Sequence, residues 1–412
     1  MITEKKYSLL VNLLLQVMFV GILLGLFRTA IPALSESIFN VPKDSFIFLS
    51  TFIIAFGLVK GIANYYAGTM ADKHDRKYVL MLGWAIAIPV PLIIYFAHNW
   101  YYIILATFLI GINQGLTWSV TQISSVDITK SERRGFAVGL NEFSGYFGVA
   151  IGGILVSYMT SLFSVKVALF LFSAIFILIA LLYCFFLIED TKKYANNFKK
   201  ENPENMFYYV SWKNKKLFAY SQAGHVEKFV DTCIWIFFPV YLFNNGVTLI
   251  DISLIVGTYA FTWGVLQIFS GLYSDFVGRN LLIISGMLIC AIFLPVCLLS
   301  LDVSWWLICS FFLGLGMALL YPSISSAVND NCEDTWRASG IGIYRFWRDT
   351  GYATGALGLG IVTSLVNIEA GFVFVSISIL LSTSILILTS NQLSTGNVKF
   401  VPKSLSPLPT VK

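Results

Sequence analysis

The sequence predicts an all-α polytopic membrane protein with twelve transmembrane helices in two pseudo-symmetric six-helix bundles. Three observations support this fold class: the composition, the number of apolar segments and a charged motif that occurs twice. Of the 412 residues, 57% are hydrophobic and 12% are charged, whereas a soluble domain carries about 25% charged residues. Aromatic residues make up 16%, and Trp and Tyr collect at membrane interfaces. The composition therefore indicates a membrane protein with little chain left for a soluble domain.

Twelve apolar segments are long enough to cross a bilayer, since a spanning helix needs roughly 20 apolar residues. Each is predicted to be helical, because a backbone in hydrocarbon must satisfy its own hydrogen bonds. The predicted spans are residues 7–34, 46–69, 78–96, 101–126, 135–159, 166–188, 217–243, 249–273, 281–299, 305–328, 338–366 and 371–389. The first span follows two lysines, as in a secretory signal, but it is too long and lacks a cleavage site. We expect it to be retained as a helix.

The two bundles are predicted at residues 1–189 and 217–390, with a linker at 190–216 and a tail at 391–412. The linker is marked by lysines at positions 192, 193, 199, 200, 213, 215 and 216. The tail contains Pro402, Pro407 and Pro409 and is predicted to be disordered.

The basic residues predict the orientation. If twelve helices alternate, one side of the membrane receives Lys5, Lys6, the basic turns at 73–77 and 130–134, the linker, Arg279, Arg337 and the tail. The other side receives little beyond Lys43 and Lys166. The positive-inside rule then places both termini and the linker in the cytoplasm. We expect a multi-pass protein of an inner or plasma membrane.

A charged hinge separates the second and third segments and recurs in the second half. The copies are GTMADKHDRK at residues 68–77 and GLYSDFVGR at 271–279. Corresponding residues are 203 positions apart, as are Arg28 and Asp231 in the first helices of the two halves. Gly145 and Gly351, each followed by Tyr, differ by 206 instead, which predicts about three extra residues near 344–350. Two parallel halves with a site between them are a known transporter architecture.

The motif Gly68-x-x-Ala71-Asp72-x-x-x-Arg76-Lys77 resembles the signature loop of the major facilitator superfamily, and residues 271–279 resemble its weaker repeat. Helix count, linker and repeat also match, so the resemblance spans nearly the whole chain. It implies a secondary transporter whose halves rock about a midplane site, with Asp72 and Arg76 helping to lock an outward-open state. The implied conformational gate comprises Gly68, Asp72, Arg76, Lys77, Gly271, Asp275 and Arg279.

Helix five carries Gly145-Tyr146-Phe147-Gly148-x-x-x-Gly152-Gly153. This segment resembles the glycine-rich motif of antiporter branches of the family, although the usual proline is missing. The resemblance implies efflux. Ordinary packing of small residues between helices is the alternative explanation.

Ionisable residues inside membrane helices are costly, and they mark functional sites by default. The predicted cations are Arg28, Lys60, Lys228, Arg345 and Arg348, and the predicted carboxylates are Glu142, Glu227, Asp231 and Asp349. Two roles remain open for them. They can form internal ion pairs, such as Arg28 with Asp231 or Glu142 with Arg348, or an unpaired arginine can bind an anionic substrate.

Proton coupling is predicted at Glu142, Asp231, His225 or Asp349. Burial disfavours an ionised carboxylate and so moves its protonation toward physiological pH, while a nearby Arg opposes this. His225 titrates near neutrality when unperturbed, but it lies only eight residues after Leu217 and so can lie at the cytoplasmic edge. Glu227 and Lys228 are expected to point to different faces of their helix.

Gln114, Trp118 and Gln122 share one face of helix four, because successive members are four positions apart. Tyr321 on helix ten lies 203 positions after Trp118. Together with the arginines they give a predicted substrate-binding set of Arg28, Gln114, Trp118, Gln122, Asn141, Tyr146, Tyr321, Arg345 and Arg348. Interhelical hydrogen bonding is the alternative role for the polar amides.

Several function classes find no support in the sequence. There is no Walker motif, so ATP is not expected to drive the protein directly, and no nucleophile elbow or haem motif. The six cysteines show no metal-ligand spacing and are expected to pack in the core. We therefore expect no enzyme activity, no cofactor, no metal and no nucleic acid. The expected partners of a monomer are a small-molecule or ion substrate, protons and the lipid bilayer.

The sequence thus predicts a secondary active transporter that moves a small solute by alternating access, as proton-coupled efflux. The alternatives are proton-coupled uptake of a small organic or inorganic anion and, more remotely, a non-transporting membrane sensor. One observation separates the transport hypotheses. Arginines that are paired with carboxylates leave a cationic or neutral substrate open, whereas Arg28 or Arg348 without an acidic partner favours an anion.

Overall fold

The computed structural model describes residues 4–37, 46–160, 162–195 and 203–394, and these segments contain no β-strand. Within them, twelve long helices confirm the predicted fold class, and nine are long and apolar enough to cross a membrane. The helices are α1 Glu4–Ser37, α2 Phe46–Lys73, α3 Arg76–Ala87 with Val90–Tyr95, α4 Trp100–Asp127, α5 Arg134–Thr160, α6 Val165–Leu187, α7 Lys215–Thr232 continued by Cys233–Phe237 and Phe238–Asn244, α8 Leu249–Val277, α9 Arg279–Val296, α10 Val303–Asn331, α11 Arg337–Leu365 and α12 Ile368–Ser394.

Two helices are interrupted at prolines, which lack the backbone N–H of a regular helix. In α3 the regular helix stops at Ala87 and resumes at Val90, with Pro89 in the break and Pro91 just after it. In α7 a π-helical turn spans Cys233–Phe237, just before Pro239. π-Helical turns occur frequently at functional sites, and this one begins two residues after Asp231.

The two halves contact each other through two equivalent helix crossings, α2 with α11 and α8 with α5. A Cβ atom at Gly68 would collide with the Ala338 carbonyl, and one at Gly271 would collide with the Gly135 carbonyl. Glycine is required at both positions because the helix backbones approach so closely. We call the end of the bundle that contains these crossings the hinge end, and the other end the far end. Odd-numbered helices begin at the hinge end.

The prediction of three extra residues in α11 is wrong. A Cβ at Gly148 would meet the backbone of α1, and one at Gly351 would meet the backbone of α7, at the equivalent place. Gly152 and Gly355 repeat the correspondence one turn later. Both pairs keep the offset of 203 positions, and α11 is a continuous α-helix. The similar Gly-Tyr dipeptides at 145 and 351 are therefore not equivalent.

The linker packs across both halves. After the short helix Met206–Tyr208, a π-helical turn spans Tyr209–Lys213. The Phe207 ring lies 5.6 Å from the Tyr65 ring of α2 and 5.4 Å from the Phe346 ring of α11.

Parts of two sequence predictions fall outside the described residues. The lysines at positions 199 and 200 belong to the linker segment that is not described. Helix α12 continues to Ser394, four residues into the predicted tail, and the rest of the tail is not described.

The start of α1 and the end of α6 meet at the hinge end. Lys5 Nζ lies 3.2 Å from Glu189 Oε1, and Lys193 Nζ lies 3.0 Å from Glu189 Oε2. Hydrogen bonds from Lys193 and Lys5 lower the pKa of Glu189. These side chains are about half exposed or more, so solvent screens their contribution to stability.

Candidate functional site

A small cavity lies between the two halves, about halfway along the bundle. Its volume is about 20 Å³, which is room for about one water molecule. The lining residues are Leu24, Arg28, Phe56, Lys60, Trp118, Glu142, Tyr146, Trp235, Tyr321, Arg348 and Tyr352. A second cavity of about 10 Å³ shares Leu24, Arg28, Phe56 and Trp235 and reaches Thr107 of α4, nearer the far end. Both cavities are too small for a solute larger than water, so the helices around them must move apart before a solute can bind.

Arg28 has the loosest ion pair of the cavity wall. Its Nη2 lies 4.0 Å from Asp231 Oδ1, and its guanidinium lies 3.5 Å from the centre of the Trp235 ring. The Arg28 side chain keeps 22% of its surface exposed, whereas Asp231 is buried. The Asp231 carboxylate accepts hydrogen bonds from the Tyr352 and Tyr259 hydroxyls.

Glu142 pairs with Arg345, and not with Arg348 as predicted. Arg345 Nη2 donates to Glu142 Oε1 at 3.1 Å and to the Tyr321 hydroxyl at 2.8 Å. Trp118 Nε1 lies 3.0 Å from both Glu142 oxygens. All of these groups are buried. Arg345 reaches Glu142 because the two residues are 203 positions apart and therefore face each other across the axis that relates the halves.

Arg348 pairs with its neighbour Asp349. Arg348 Nη2 lies 2.7 Å from Asp349 Oδ1, and Lys60 Nζ lies 3.6 Å from Asp349 Oδ2. Asn64 Nδ2 donates to the same Oδ2 at 2.7 Å. The guanidinium of Arg348 lies over the Tyr321 ring at 4.4 Å, and its Nη1 is buried with no hydrogen-bond partner among the described residues.

The expectation that Glu227 and Lys228 point apart is wrong. Lys228 Nζ lies 3.0 Å from Glu227 Oε1 and 3.8 Å from Asp231 Oδ2. The long Lys228 side chain curls back along the helix, so adjacent positions on α7 meet through their termini. Both residues are at most 2% exposed.

Among the described residues, three ion pairs inside the membrane-spanning part cross from one half to the other, and they are stacked along the bundle. At the hinge end Arg134 also pairs across the halves, with Asp330 and Asp334. Glu142 lies eight residues into α5, which places its pair with Arg345 toward the hinge end. Lys60 lies at the middle of α2 and pairs with Asp349. The pair of Arg28 with Asp231 lies nearest to the far end.

The remaining predicted residues divide into those at the cavity and those away from it. Tyr146 lies at the cavity, 4.4 Å from the Trp263 ring centre and 5.7 Å from the Trp118 ring centre. Gln122 Nε2 donates to Ser325 Oγ at 2.6 Å, toward the hinge end. Gln114 and Asn141 are buried, and their side-chain amides have no hydrogen-bond partner among the described residues.

His225 lies outside the central site. Its Nδ1 lies 2.7 Å from the Trp347 carbonyl and its Nε2 lies 2.8 Å from the Thr354 hydroxyl. It lines a separate cavity of about 220 Å³ formed with Ser211 and Trp212 of the linker. His225 precedes Asp231 by six residues, and in a helix this spacing points the two side chains in different directions.

Sequence reasoning missed several residues of the site: Lys60, Asn64, Lys228, Trp235, Tyr259 and Tyr352. A signal existed for some of them. Lys60 and Lys228 are recognisable in the sequence as intramembrane cations. Trp235 follows Asp231 by four positions, so the two share a helix face.

The hinge carboxylates hold the two halves together. Asp72 Oδ2 accepts a hydrogen bond from the Ser339 backbone N–H at 2.7 Å, at the start of α11. Asp275 accepts hydrogen bonds from the Gly135 and Phe136 N–H groups at 2.9 and 3.0 Å, at the start of α5. Each carboxylate binds the positive end of a helix that belongs to the other half. The hinge end is closed in this structure.

The basic residues of the hinge act within their own halves. Arg76 Nε donates to Asp127 Oδ2 at 3.1 Å, and Lys77 Nζ donates to the Phe185 carbonyl at 2.7 Å. Arg279 Nη2 lies 2.6 Å from Asp275 Oδ1 and its Nε donates to Asp330 Oδ2 at 3.1 Å. Of these contacts, only that of Arg279 with Asp275 touches a hinge carboxylate, and none of them crosses the interface.

Comparison with known families decides the classification. The model of the Major Facilitator Superfamily matches residues 13–225 and 223–410. The chain belongs to the major facilitator superfamily. Membership in this superfamily and the apolar helices identify a multi-pass membrane transporter.

The chain is also similar to two known proteins, one in fold and one over a short stretch of sequence. The crystal structure of the human organic anion transporter MFSD10 (TETRAN) matches with a TM-score of 0.77, covering 92% of this chain and 99% of that chain at 13% identity. The probable metabolite transport protein YBR241C of Saccharomyces cerevisiae is 28% identical over 88 residues. That alignment covers 21% of this chain and 18% of the yeast protein.

Proposed function

We propose that this protein is a proton-coupled secondary transporter of a small organic or inorganic anion. One observation carries the proposal: three cations, Arg28, Lys60 and Arg348, line the central cavity, against the single carboxylate of Glu142. Glu142 is already held by Arg345 and Trp118. The cavity wall is therefore electropositive, in surroundings where an uncompensated charge is expensive.

The wider charge balance supports the same substrate class. The intramembrane cluster contains five cations and four carboxylates, so one cation lacks an equivalent negative charge when all are ionised. A bound monoanion supplies that charge. The Tyr146 and Tyr321 hydroxyls at the cavity can donate to an anion, and Trp118 and Trp235 offer apolar surface for an organic part. The human transporter of similar fold is named for organic anions, which is the same class.

The contacts between the halves suit alternating access. We propose that the hinge end faces the cytoplasm, together with both termini, and that the protein acts as a monomer in an inner or plasma membrane. Opening toward the cytoplasm would break the bonds of Asp72 and Asp275 to the opposite half. Opening toward the outside would separate Arg28 from Asp231.

Efflux of a cationic or neutral solute is the second candidate. The observation that favours it is that Arg28 and Arg348 each have an acidic partner. The resemblance of helix α5 to antiporters adds less, because Gly148 and Gly152 are accounted for by close packing against α1. An anion is favoured by the 4.0 Å separation of Arg28 Nη2 from Asp231 Oδ1 and by Arg348 Nη1, which has no hydrogen-bond partner in the described part of the chain.

The test is a thermal-stability screen of the purified protein with benzoate, lactate, succinate and inorganic phosphate, against tetraethylammonium as the cationic counterpart. Any stabilising anion is then assayed for uptake into proteoliposomes under an inward proton gradient. We expect stabilisation by at least one anion and none by tetraethylammonium. Stabilisation by the cation alone would overturn the proposal in favour of the second candidate.

Arg28→Gln is the decisive variant of this screen. Losing a charge-assisted hydrogen bond of about 1.5–3 kcal/mol should weaken anion binding by about 10- to 150-fold. Arg133→Gln is the matched control, because Arg133 is an exposed arginine of the loop before α5. Equal binding by both variants would remove Arg28 from the substrate site.

A further inference from the structure

We infer that Glu227 is a proton-binding site of this transporter, and that Lys228 transmits its protonation to the anion site through Asp231 and Arg28. The inference rests on the proposed anion transport and names the group that couples it to protons. Glu227 does not line the central cavity, so its carboxylate is not explained by substrate contact.

Among the four intramembrane carboxylates, Glu227 has the fewest hydrogen-bond donors to stabilise its negative charge. Glu142 accepts hydrogen bonds from Trp118 and Arg345. Asp231 accepts from two tyrosine hydroxyls. Asp349 accepts from Asn64 and Arg348.

Apart from the Lys228 ammonium, 3.0 Å from Oε1, neither oxygen of Glu227 has a hydrogen-bond donor among the described residues, and Lys228 is its closest cation. A buried carboxylate with so few donors is the one that most readily takes up a proton.

The surroundings of Glu227 contain few groups that could replace Lys228. The titratable or charged groups facing it are Lys228 and Asp231 on α7, Tyr259 on α8, Cys290 on α9, and Tyr344 and Arg348 on α11. Arg348 is bound to Asp349 at 2.7 Å. The Tyr344 hydroxyl is buried without a hydrogen-bond partner among the described residues. Lys228 therefore decides the charge state of Glu227.

Lys228 is shared between two carboxylates. It lies 3.0 Å from Glu227 and 3.8 Å from Asp231, and Asp231 also pairs with Arg28 at 4.0 Å. When Glu227 takes a proton from water, its carboxylate becomes a neutral acid and the Lys228 ammonium keeps its own charge. Lys228 then forms an ion pair with Asp231 alone. Because Asp231 now has Lys228 as its counter-charge, Arg28 can leave Asp231 and bind an anion.

The consequence is that a proton and an anion bind together. Binding couplings are reciprocal, so an anion that draws Arg28 away from Asp231 also raises the affinity of Glu227 for a proton. The two would move in the same direction, which makes the transporter a symporter. With the far end facing outward, an inward proton gradient drives uptake of the anion.

The experiment needs no substrate. Spin labels at Asn99→Cys and Leu301→Cys, both exposed at the far end, report the separation of the halves by pulsed electron resonance. The six native cysteines are buried and stay unlabelled. Opening of the far end separates Arg28 from Asp231 and favours protonated Glu227, so lowering the pH should populate the longer distance in the parent protein.

Glu227→Gln is neutral at every pH, so it should abolish the pH-dependent change in distance. Lys228→Gln should have the same effect, because it leaves Glu227 without its cation and protonated throughout. Glu369→Gln is the control, since it removes a carboxylate at the start of α12 that does not line the central cavity, and it should keep the pH response. A response that persists in Glu227→Gln, or that is lost in Glu369→Gln, would overturn the inference.

These outcomes can be told apart from failure of the proposed function. If no anion binds but the distance still depends on pH through Glu227, the anion assignment fails and the proton site stands. If an anion binds and the pH response does not involve Glu227, the reverse holds.

Discussion

Arg345 Nη2 lies 3.1 Å from Glu142 Oε1, and the two residues occupy equivalent positions of the two halves, 203 positions apart. Two other contacting pairs are also 203 positions apart in the sequence. Gln122 donates a hydrogen bond of 2.6 Å to Ser325, and Arg28 pairs with Asp231. A residue near the axis relating two similar halves faces its own counterpart. Divergence of such counterparts into an acid and a base gives contacts that hold the halves together and that separate when the halves move.

The pair of Glu142 and Arg345 can be tested by a double-mutant cycle. Glu142→Gln or Arg345→Gln alone leaves a buried charge unpaired, which should cost about 3–5 kcal/mol of stability. The double variant removes both charges and should recover a large part of that loss. Denaturant unfolding in detergent measures the three values. Additive losses in the double variant would show that the two residues do not interact.

Asp72→Asn should weaken closure of the hinge end without abolishing substrate binding. The carboxylate caps the start of α11 through Ser339, and losing such a cap costs about 0.5–2 kcal/mol. The equilibrium should shift toward the open hinge end by about 2- to 30-fold. Distance measurements across the hinge end report the shift. Asp75→Asn is the control, because Asp75 is exposed and makes no side-chain cap bond. Loss of binding with normal exchange between states would contradict this role.

Gly68→Ala should favour the open hinge end even more strongly. A Cβ at this position collides with the Ala338 carbonyl, so α2 and α11 cannot keep their present separation. Labelling of cysteines introduced at the hinge end should become faster. Gly257→Ala, on α8, serves as the control because no atom lies within 4 Å of the added Cβ. Identical labelling rates in the two variants would show that the crossing tolerates a methyl group.

Trp235→Leu should weaken anion binding while keeping an apolar side chain at this position. The indole face lies 3.5 Å from the Arg28 guanidinium, and a cation–π contact contributes about 0.5–2 kcal/mol. Affinity should fall by about 2- to 30-fold, as measured by titration with whichever anion stabilises the parent protein. Trp212→Leu, in the linker and away from the cavity, should leave affinity unchanged. An equal loss in both variants would point to general destabilisation.

The repeat in the sequence predicted much of the architecture because it is carried by residues with narrow steric or electrostatic requirements. Gly68 and Gly271 mark helix crossings that admit no side chain, and Asp72 and Asp275 mark helix ends that need an acceptor. The pairing of Arg28 with Asp231 followed from the same offset. The roles of these positions can be predicted from the sequence because few residue types meet their steric or electrostatic requirements.

The identity of the other partners was not readable from spacing alone. Arg345 and Arg348 are one helical turn apart on α11 and both face the interior, so the placement of α11 relative to α5 decides which one reaches Glu142. Lys228 meets Glu227 through the flexibility of a four-carbon side chain, which a helical wheel does not represent. The sequence makes His225 a candidate for proton coupling because of the chemistry of imidazole. In the structure the rotation of α7 turns its side chain toward the linker.

Phe207 touches rings of both α2 and α11, so the connecting segment is part of the contact between the halves. When the hinge end opens, at least one of these ring contacts separates and aromatic surface meets the lipid headgroups. Aromatic side chains are stabilised in that region of a bilayer. The balance between the two conformations therefore depends on the surrounding lipid, and the rate of the transport cycle should change with bilayer composition even when every residue of the cavity is unchanged.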